Sequence, residues 1–218
     1  MVRHRFGACA LALALVLLAW GSAVQGSGAP LADAAEKSDR AAVRALVAQS
    51  VDVNQSQVDG MTALHWAVHL DDLETARLLV DAGADVKATN RYGVAPLSLA
   101  CTNGAEAMVE LLLDAGAAPN AALPGGESPL MTAARTGKLG PVNALLARGA
   151  DANARERRGQ TALMWASSEG HAEVVDALLK AGADFRTPLP SGFTPLSFAA
   201  RDGRLDVVRL LLKAGAEV

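Results

Sequence analysis

Glycines recur along the chain in three series with one fixed interval, and this repetition limits the possible folds more than any other property of the sequence. Successive members of each series lie 33 residues apart. The series are Gly60, Gly93, Gly126, Gly159, Gly192; Gly83, Gly116, Gly149, Gly182, Gly215; and Gly104, Gly137, Gly170, Gly203. Glycine adopts positive φ more readily than other residues, so each series predicts one such backbone site per unit. The chain is therefore predicted to be an array of similar units.

A first helix is predicted to start shortly after each glycine of the first series. A hydroxyl residue precedes alanine or proline in four units, as expected of an N-cap followed by the first helical position, and Ala95 is the departure. Leucine and alanine then follow three residues apart, which predicts an apolar stripe with a small residue where a neighbouring helix approaches. These pairs are Leu64/Ala67, Leu97/Ala100, Leu130/Ala133, Leu163/Ala166 and Leu196/Ala199.

A second helix is predicted before each Gly-Ala pair of the second series. It carries two adjacent aliphatic residues, as in Leu112/Leu113 and Leu178/Leu179, and glycine suits the left-handed residue that ends a helix. Helices of about two to three turns are unstable alone in water, so the units must stack. The composition agrees, because 51% of residues are hydrophobic but only 4% are aromatic. We therefore predict an all-α repeat solenoid of stacked helix-turn-helix units.

The repeated unit resembles the ankyrin repeat, most clearly in GMTALHWAVHLDDLETARLLVDAGADVKA and GQTALMWASSEGHAEVVDALLKAGADFRT. The resemblance covers residues 31–218 and implies antiparallel helix pairs in a curved stack, with hairpin-like loops projecting from one edge. It implies an N-terminal capping repeat at 31–57. Five further repeats follow at about 58–90, 91–123, 124–156, 157–189 and 190–218, the last of them incomplete.

The first 26 residues have the three-part layout of a secretory signal peptide: basic MVRHRFG, apolar ACALALALVLLAW, and a small polar segment. The apolar run is shorter than the roughly 18 residues of a spanning helix, which favours a cleaved signal over an anchor. Cleavage is expected after Ala23 or Gly26, with a short linker at 27–30. The mature chain is then predicted to be exported, to the periplasm or the medium, without a membrane span.

Cleavage would also remove Cys9 and leave Cys101 as the one cysteine. A single cysteine cannot form an internal disulfide, so the fold must be held by packing. We predict that Cys101 is a small buried hydrophobe rather than a reactive thiol.

His65 and His69 are four residues apart, a spacing that could supply half of a zinc site. In register, His65 occupies the position of the histidine in the ankyrin Thr-Pro-Leu-His pattern, which implies hydrogen bonding at the base of a loop. His69 falls in a variable, outward-facing column with Arg135 and Arg201. Because no third ligand lies nearby, we predict no metal and no cofactor.

Other patterns of chemistry are weak. No phosphate-binding loop or nucleophile motif is present, so we predict that the protein is not an enzyme. The formal net charge of −3 and a single basic run, RERR at 155–158, predict a solvated loop tip and no nucleic-acid binding. Trp66 and Trp165 share one register column, and we predict that they pack against the loops.

The resemblance implies that a partner binds the loop tips and the exposed ends of the first helices. Arginine and aromatic residues, which are enriched at binding hot spots, dominate the larger residues there. The candidates are His69, Arg91, Tyr92, Arg135, Arg157, Arg158, Glu169, Phe193, Arg201 and Asp202. We therefore predict an exported, monomeric, non-enzymatic scaffold that binds a protein.

A second hypothesis is that the chain is the recognition arm of a longer protein whose C-terminal region carries catalysis or anchoring. The last predicted helix has the apolar residues Val207, Val208 and Leu210 to Leu212. It lacks the polar outer face of a terminal repeat. The sequence alone leaves both hypotheses open.

Overall fold

The computed structural model describes residues 28–217, which form twelve α-helices and no β-strand. The predicted signal peptide, its cleavage sites and Cys9 lie outside these residues. The helices are α1 Pro30–Glu36, α2 Arg40–Ala48, α3 Ala63–His69, α4 Leu73–Asp81, α5 Pro96–Asn103, α6 Glu106–Asp114, α7 Pro129–Thr136, α8 Leu139–Ala147, α9 Ala162–Glu169, α10 Ala172–Lys180, α11 Pro195–Arg201 and α12 Leu205–Lys213.

The helices form two layers. The first-helix layer contains α1, α3, α5, α7, α9 and α11, and the second-helix layer contains the six helices that pair with them. Neighbours pack more extensively in the first layer, because its alanine column, Ala67, Ala100, Ala133, Ala166 and Ala199, is completely buried. Closer packing in one layer curves the stack and places that layer on the inner side. The predicted all-α repeat solenoid is confirmed.

The predicted helix caps are confirmed. The hydroxyl groups of Thr62, Ser128, Thr161 and Thr194 each accept a hydrogen bond from the backbone N–H three residues later, at 3.2–3.4 Å. Ala95 has the same extended backbone but offers no side-chain acceptor to α5. α5 therefore lacks the side-chain cap that α3, α7, α9 and α11 have, and the Ser98 N–H donates to the Ala95 carbonyl at 3.0 Å instead.

The predicted positive-φ sites are confirmed at all fourteen glycines of the three series. In the first two units, three of the equivalent positions have positive φ without being glycine. Ser38 (φ 56°), Ser50 (φ 55°) and Asp71 (φ 54°) take the left-handed conformation there. Their residue types concealed the periodicity in this part of the sequence.

One hydrophobic core runs through the stack between the two layers. The first helices contribute the leucine stripe predicted above, and the second helices contribute Leu79, Leu112, Leu145, Leu178 and Leu211, which are fully buried. Cys101 is buried in this core, and burial raises the pKa of its thiol to about 12. The prediction that Cys101 is a buried hydrophobe is confirmed.

A hairpin loop connects each unit to the next. In all five hairpins, a backbone N–H donates to the carbonyl four residues later, at 2.8–3.1 Å; the donors are Gln57, Asn90, Leu123, Glu156 and Leu189. Asparagine side chains also link successive loops. Asn54, Asn120 and Asn153 each donate a hydrogen bond to a glycine carbonyl of the next unit and accept one from the backbone N–H of an aspartate there. Lys87 takes this register position at one junction, where its ammonium carries donors only.

None of the helices within residues 28–217 is long and apolar enough to cross a membrane. The longest have nine residues.

Candidate protein-binding surface

The tips of the hairpins form a continuous strip, which we call the hairpin edge: residues 58–60, 91–93, 124–126, 157–159 and 190–192. The Arg91 N–H donates to the Asp59 carbonyl at 2.9 Å, and the Arg157 N–H donates to the Gly125 carbonyl at 3.1 Å. Between these pairs, the Pro124 ring lies only 2.8 Å from where a Cβ on Gly93 would sit. Neighbouring tips are therefore in direct contact across four units.

Arg91 and Tyr92 form an exposed pair on the hairpin edge. The Arg91 guanidinium lies 4.9 Å from the centroid of the Tyr92 ring, and its Nη2 donates to the Tyr92 hydroxyl at 2.8 Å. Tyr92 is nevertheless 62% exposed. Stacking orients the guanidinium while leaving most of its donors open to a ligand.

The four residues of the RERR run divide into two roles. Arg155 donates to the Gly159 carbonyl at 3.1 Å and lies 3.7 Å from the Asp184 carboxylate. Glu156 accepts from the Gln160 N–H at 3.0 Å. Arg157 and Arg158 are exposed and form no ion pair within residues 28–217. Arg155 and Glu156 therefore stabilise the loop, whereas the other two arginines are available at its tip.

On the inner side of the stack, Arg135 reaches from α7 across to the next unit. Its guanidinium lies 5.0 Å from the Trp165 ring centroid and 3.7 Å from the Glu127 carboxylate. Next to this stack is a cavity of about 210 Å³, lined by Arg135, Gln160, Met164, Trp165, Ser168 and Glu169. The lining combines a cation, an anion and the apolar side chains of Met164 and Trp165.

The two tryptophans of the inner side differ in one contact. Trp66 Nε1 donates to the Gln57 side chain at 2.7 Å, whereas Trp165 Nε1 is buried without an acceptor in the described part of the chain. The register counterpart of Gln57 is Glu156, whose carboxylate binds its own hairpin backbone instead. The Trp165 ring is consequently held by packing and by Arg135 alone.

Arg201 forms a second cationic and aromatic cluster at the end of α11. Its guanidinium lies 5.7 Å from the Phe193 ring and 5.1 Å from the Phe198 ring, and it binds Asp202 through two hydrogen bonds of 2.8 and 2.9 Å. Ser168 also donates to Asp202, at 2.6 Å. The hydrogen bonds from Arg201 and Ser168 hold the pKa of the Asp202 carboxyl well below its usual range.

The structure brings five of the ten candidates into one region, which we call the inner patch: Arg135, Glu169, Phe193, Arg201 and Asp202. Ser168 connects its two halves, because it lines the Arg135 cavity and binds Asp202. Arg91, Tyr92, Arg157 and Arg158 lie apart from this patch on the hairpin edge. His69 is exposed near the N-terminal end, where its ring meets Trp66 edge to face at 5.8 Å.

For Trp165 the sequence predicted only packing against the loops, although this residue forms a wall of the cavity and the platform for Arg135. One signal was present in the sequence, because three units carry an aromatic residue in this column, Trp66, Trp165 and Phe198. The column lies next to the exposed one on the same helix. The stacking partner could not be read from the sequence, since Arg135 reaches Trp165 from another unit.

His65 has a structural role. Its Nδ1 lies 2.8 Å from the Thr62 hydroxyl and its Nε2 lies 3.0 Å from the Val94 carbonyl of the next hairpin. Burial lowers the pKa of the imidazole. His171 similarly places Nε2 3.0 Å from the Arg135 carbonyl of the preceding unit. Residues 28–217 contain no cluster of three or more side chains suited to binding a metal ion.

The geometry agrees with the comparisons with known proteins. No curated protein matches the sequence significantly. A family model described as ankyrin repeats (3 copies) matches residues 31–123 and 130–218, which together cover most of the chain. The chain therefore belongs to the ankyrin-repeat family.

Proposed function

We propose that this chain is an exported, non-enzymatic ankyrin scaffold that binds a protein partner through the inner patch and the hairpin edge. Ankyrin repeats generally mediate protein–protein interaction, and proteins built from them are typically scaffolds without catalytic activity. For this chain we further propose that binding uses the inner patch and the hairpin edge, and that the chain is exported.

The observation that carries the proposal is that Arg135 and Arg201 of the inner patch are both oriented by aromatic rings and still exposed to solvent. Each guanidinium is held against aromatic rings, and each side chain remains about half exposed, at 48% and 52%. An arginine that is already oriented loses less conformational entropy when it binds. Arginine and aromatic residues placed together in this way are the usual composition of a binding hot spot.

The test of the binding surface is a double variant, Arg135→Ser with Arg201→Ser. The matched control is Arg148→Ser with Arg209→Ser, which removes two exposed, ion-paired arginines from the second-helix layer. Partner capture from the exported proteins of the source organism is expected to fall at least about tenfold in the first variant only. Equal capture by both folded variants would contradict the proposed surface.

The support for export is the three-part layout of residues 1–26. The test fuses residues 1–27 to a reporter that is active only outside the cytoplasm. The matched control carries Leu15→Arg and Leu17→Arg, which interrupt the apolar run. We expect an active reporter whose new N-terminus follows Ala23 or Gly26, and an inactive control. A reporter that stays in the cytoplasm would contradict export.

A further inference from the structure

We propose that the hairpin edge binds an acidic, extended segment of the partner protein, through Arg91 and Tyr92 at one point and Arg157 and Arg158 at another. The inference rests on the proposed function, since it names the chemistry of the partner that such a scaffold binds. It uses residues distinct from those that test the inner patch.

Three arginines on the hairpin edge have no carboxylate partner within residues 28–217. Of the ten other arginines within residues 28–217, seven form ion pairs and three, Arg77, Arg186 and Arg204, do not; the paired ones are Arg40, Arg44, Arg135, Arg148, Arg155, Arg201 and Arg209. Arg91, Arg157 and Arg158 are exposed and form none among residues 28–217. Three unpaired cations thus project from one edge of a chain whose formal net charge is −3.

The acids on or next to the hairpin edge are already occupied by hydrogen bonds close to them in the chain. Asp59 accepts from the Met61 N–H at 3.0 Å, Glu127 accepts from the Thr132 hydroxyl at 2.9 Å, and Glu156 accepts from the Gln160 N–H at 3.0 Å. All three are only partly exposed. Because Asp59 and Glu156 bind the backbone of their own hairpins and Glu127 binds side chains of α7, the outward-facing charge at the tips is positive, which complements an acidic ligand.

The spacing of the two arginine groups suits an extended peptide. Arg91 and Arg157 are two units apart, and neighbouring packed helices stand about 8–10 Å apart. The groups are therefore separated by roughly 16–20 Å, a distance that five or six residues of extended chain would span at about 3.3 Å per residue. The tip between them, Pro124 and Gly125, carries no charge or bulky side chain that would obstruct the backbone of a ligand.

The chemistry of the groups favours a peptide over a nucleic acid. Guanidinium groups bind carboxylates through two parallel hydrogen bonds, and the exposed Tyr92 ring offers a surface for an apolar or proline residue. A nucleic acid presents a phosphate at every step and needs many cations. Here only three unpaired arginines are present, in two groups separated by the uncharged tip of Pro124 and Gly125, which suits a ligand with a few spaced carboxylates better than one with a phosphate at every step.

The test is a selection of random 12-residue peptides displayed on phage, with the full chain as bait. A triple variant, Arg91→Ser, Arg157→Ser and Arg158→Ser, serves for counter-selection. The selected peptides are expected to be acidic, with carboxylates in two groups five or six positions apart. Their affinity is expected to fall at least about tenfold in the triple variant and to weaken with added NaCl. A control with Arg77→Ser, Arg148→Ser and Arg209→Ser in the second-helix layer should bind as the unmodified chain does.

Each other outcome overturns a defined part of the inference. Selected peptides that are neutral or basic would refute an acidic partner, and acidic peptides that bind the triple variant equally well would refute the hairpin edge. An absence of selected peptides would refute an extended ligand. Tighter binding to a 20-base-pair DNA duplex or to phosphatidylglycerol vesicles, lost in the triple variant, would assign the edge to a different macromolecule. The proposed function is tested separately, because it depends on capture through Arg135 and Arg201.

Discussion

The gap in helix capping at Ala95 leads to a prediction about stability. The backbone there (φ −92°, ψ 160°) closely matches that of the capping residue Thr62 (φ −92°, ψ 170°), so the conformation of a cap is already present. A cavity of about 130 Å³ adjoins Ala95 and leaves room for a larger side chain. The Ser98 N–H donates to the Ala95 carbonyl at 3.0 Å. Replacing Ala95 with threonine would offer it a hydroxyl acceptor instead, as Thr62, Ser128, Thr161 and Thr194 do for their helices.

The expected gain in the free energy of unfolding is about 1 kcal/mol, the usual contribution of an N-cap hydroxyl. For a chain of this length, that corresponds to a rise in Tm of about 2–4 °C. The matched control is Ala95→Val, which adds similar volume beside the cavity but has no acceptor. Ala95→Val should therefore lack the increment that comes from the hydroxyl, although its methyl groups can also fill part of the cavity.

Urea unfolding followed by far-UV circular dichroism measures the total effect, and hydrogen exchange of the Ser98 amide measures its local cause. Ala95→Thr should slow exchange at Ser98, and Ala95→Val should not. Equal stabilisation by both variants would attribute the gain to filling the cavity. An Ala95→Thr protein no more stable than the original would refute the assignment of a missing cap.

Three further predictions concern single side chains. Gly60→Ala should lower the free energy of unfolding in urea more than Gly192→Ala does, although both glycines have φ +83°. A Cβ at Gly60 would lie 2.9 Å from the backbone of the next hairpin, whereas a Cβ at Gly192 would have no atom within 4 Å. Equal losses of stability would mean that the left-handed backbone alone sets the cost of the substitution. Burial lowers the pKa of His65 below its ordinary value of 6.5, so its neutral form contributes stability that is present above about pH 6.5 and is lost as the pH falls below it. The stability difference between the original chain and His65→Ser should therefore shrink from pH 7.5 to pH 5, and a constant difference would contradict the reasoning. In a Cys9→Ser chain, Cys101 should resist a thiol reagent at pH 8 until urea unfolds the protein, because burial raises its pKa to about 12; rapid labelling of the native protein would show that the site opens.

The sequence predicted the repeating features because each depends on one residue type at one register position. Positive φ requires glycine in the later units, and close helix packing requires alanine at Ala67 and its counterparts, so both left a pattern with a fixed interval. The same sites in the first two units were not recognised, because Ser38 and Asp71 adopt positive φ without being glycine. A search for a glycine pattern finds positive-φ positions that carry glycine and misses those that carry serine or aspartate.

The binding surface was less predictable, because its properties depend on contacts between units. The exposed column of Arg135 and Arg201 was visible in the register, but their environments differ. Arg135 reaches the next unit to stack on Trp165, whereas Arg201 binds its neighbour Asp202. Which cations stay unpaired is therefore decided by the positions of carboxylates in three dimensions. For this reason the sequence could nominate Arg157 and Arg158 from their register position, but it could not show that they stay unpaired while Arg155 pairs with Asp184.

Two irregularities of the repeat coincide at one junction and are connected by packing. Lys87 replaces the asparagine that links successive loops elsewhere, and Ala95 replaces the capping hydroxyl; both line the cavity of about 130 Å³. The opposite wall consists largely of short side chains, Ala117, Ala118, Ala121 and Ala122, which cannot fill the space. In a linear array, stability depends on each unit and on its contacts with its neighbours. The missing asparagine link, the missing cap hydroxyl and the unfilled cavity therefore weaken the stack locally at this junction. This junction lies between the hairpin of Arg91 and that of Arg157, so the separation of the two arginine groups depends on a contact that lacks both the asparagine link and the cap hydroxyl.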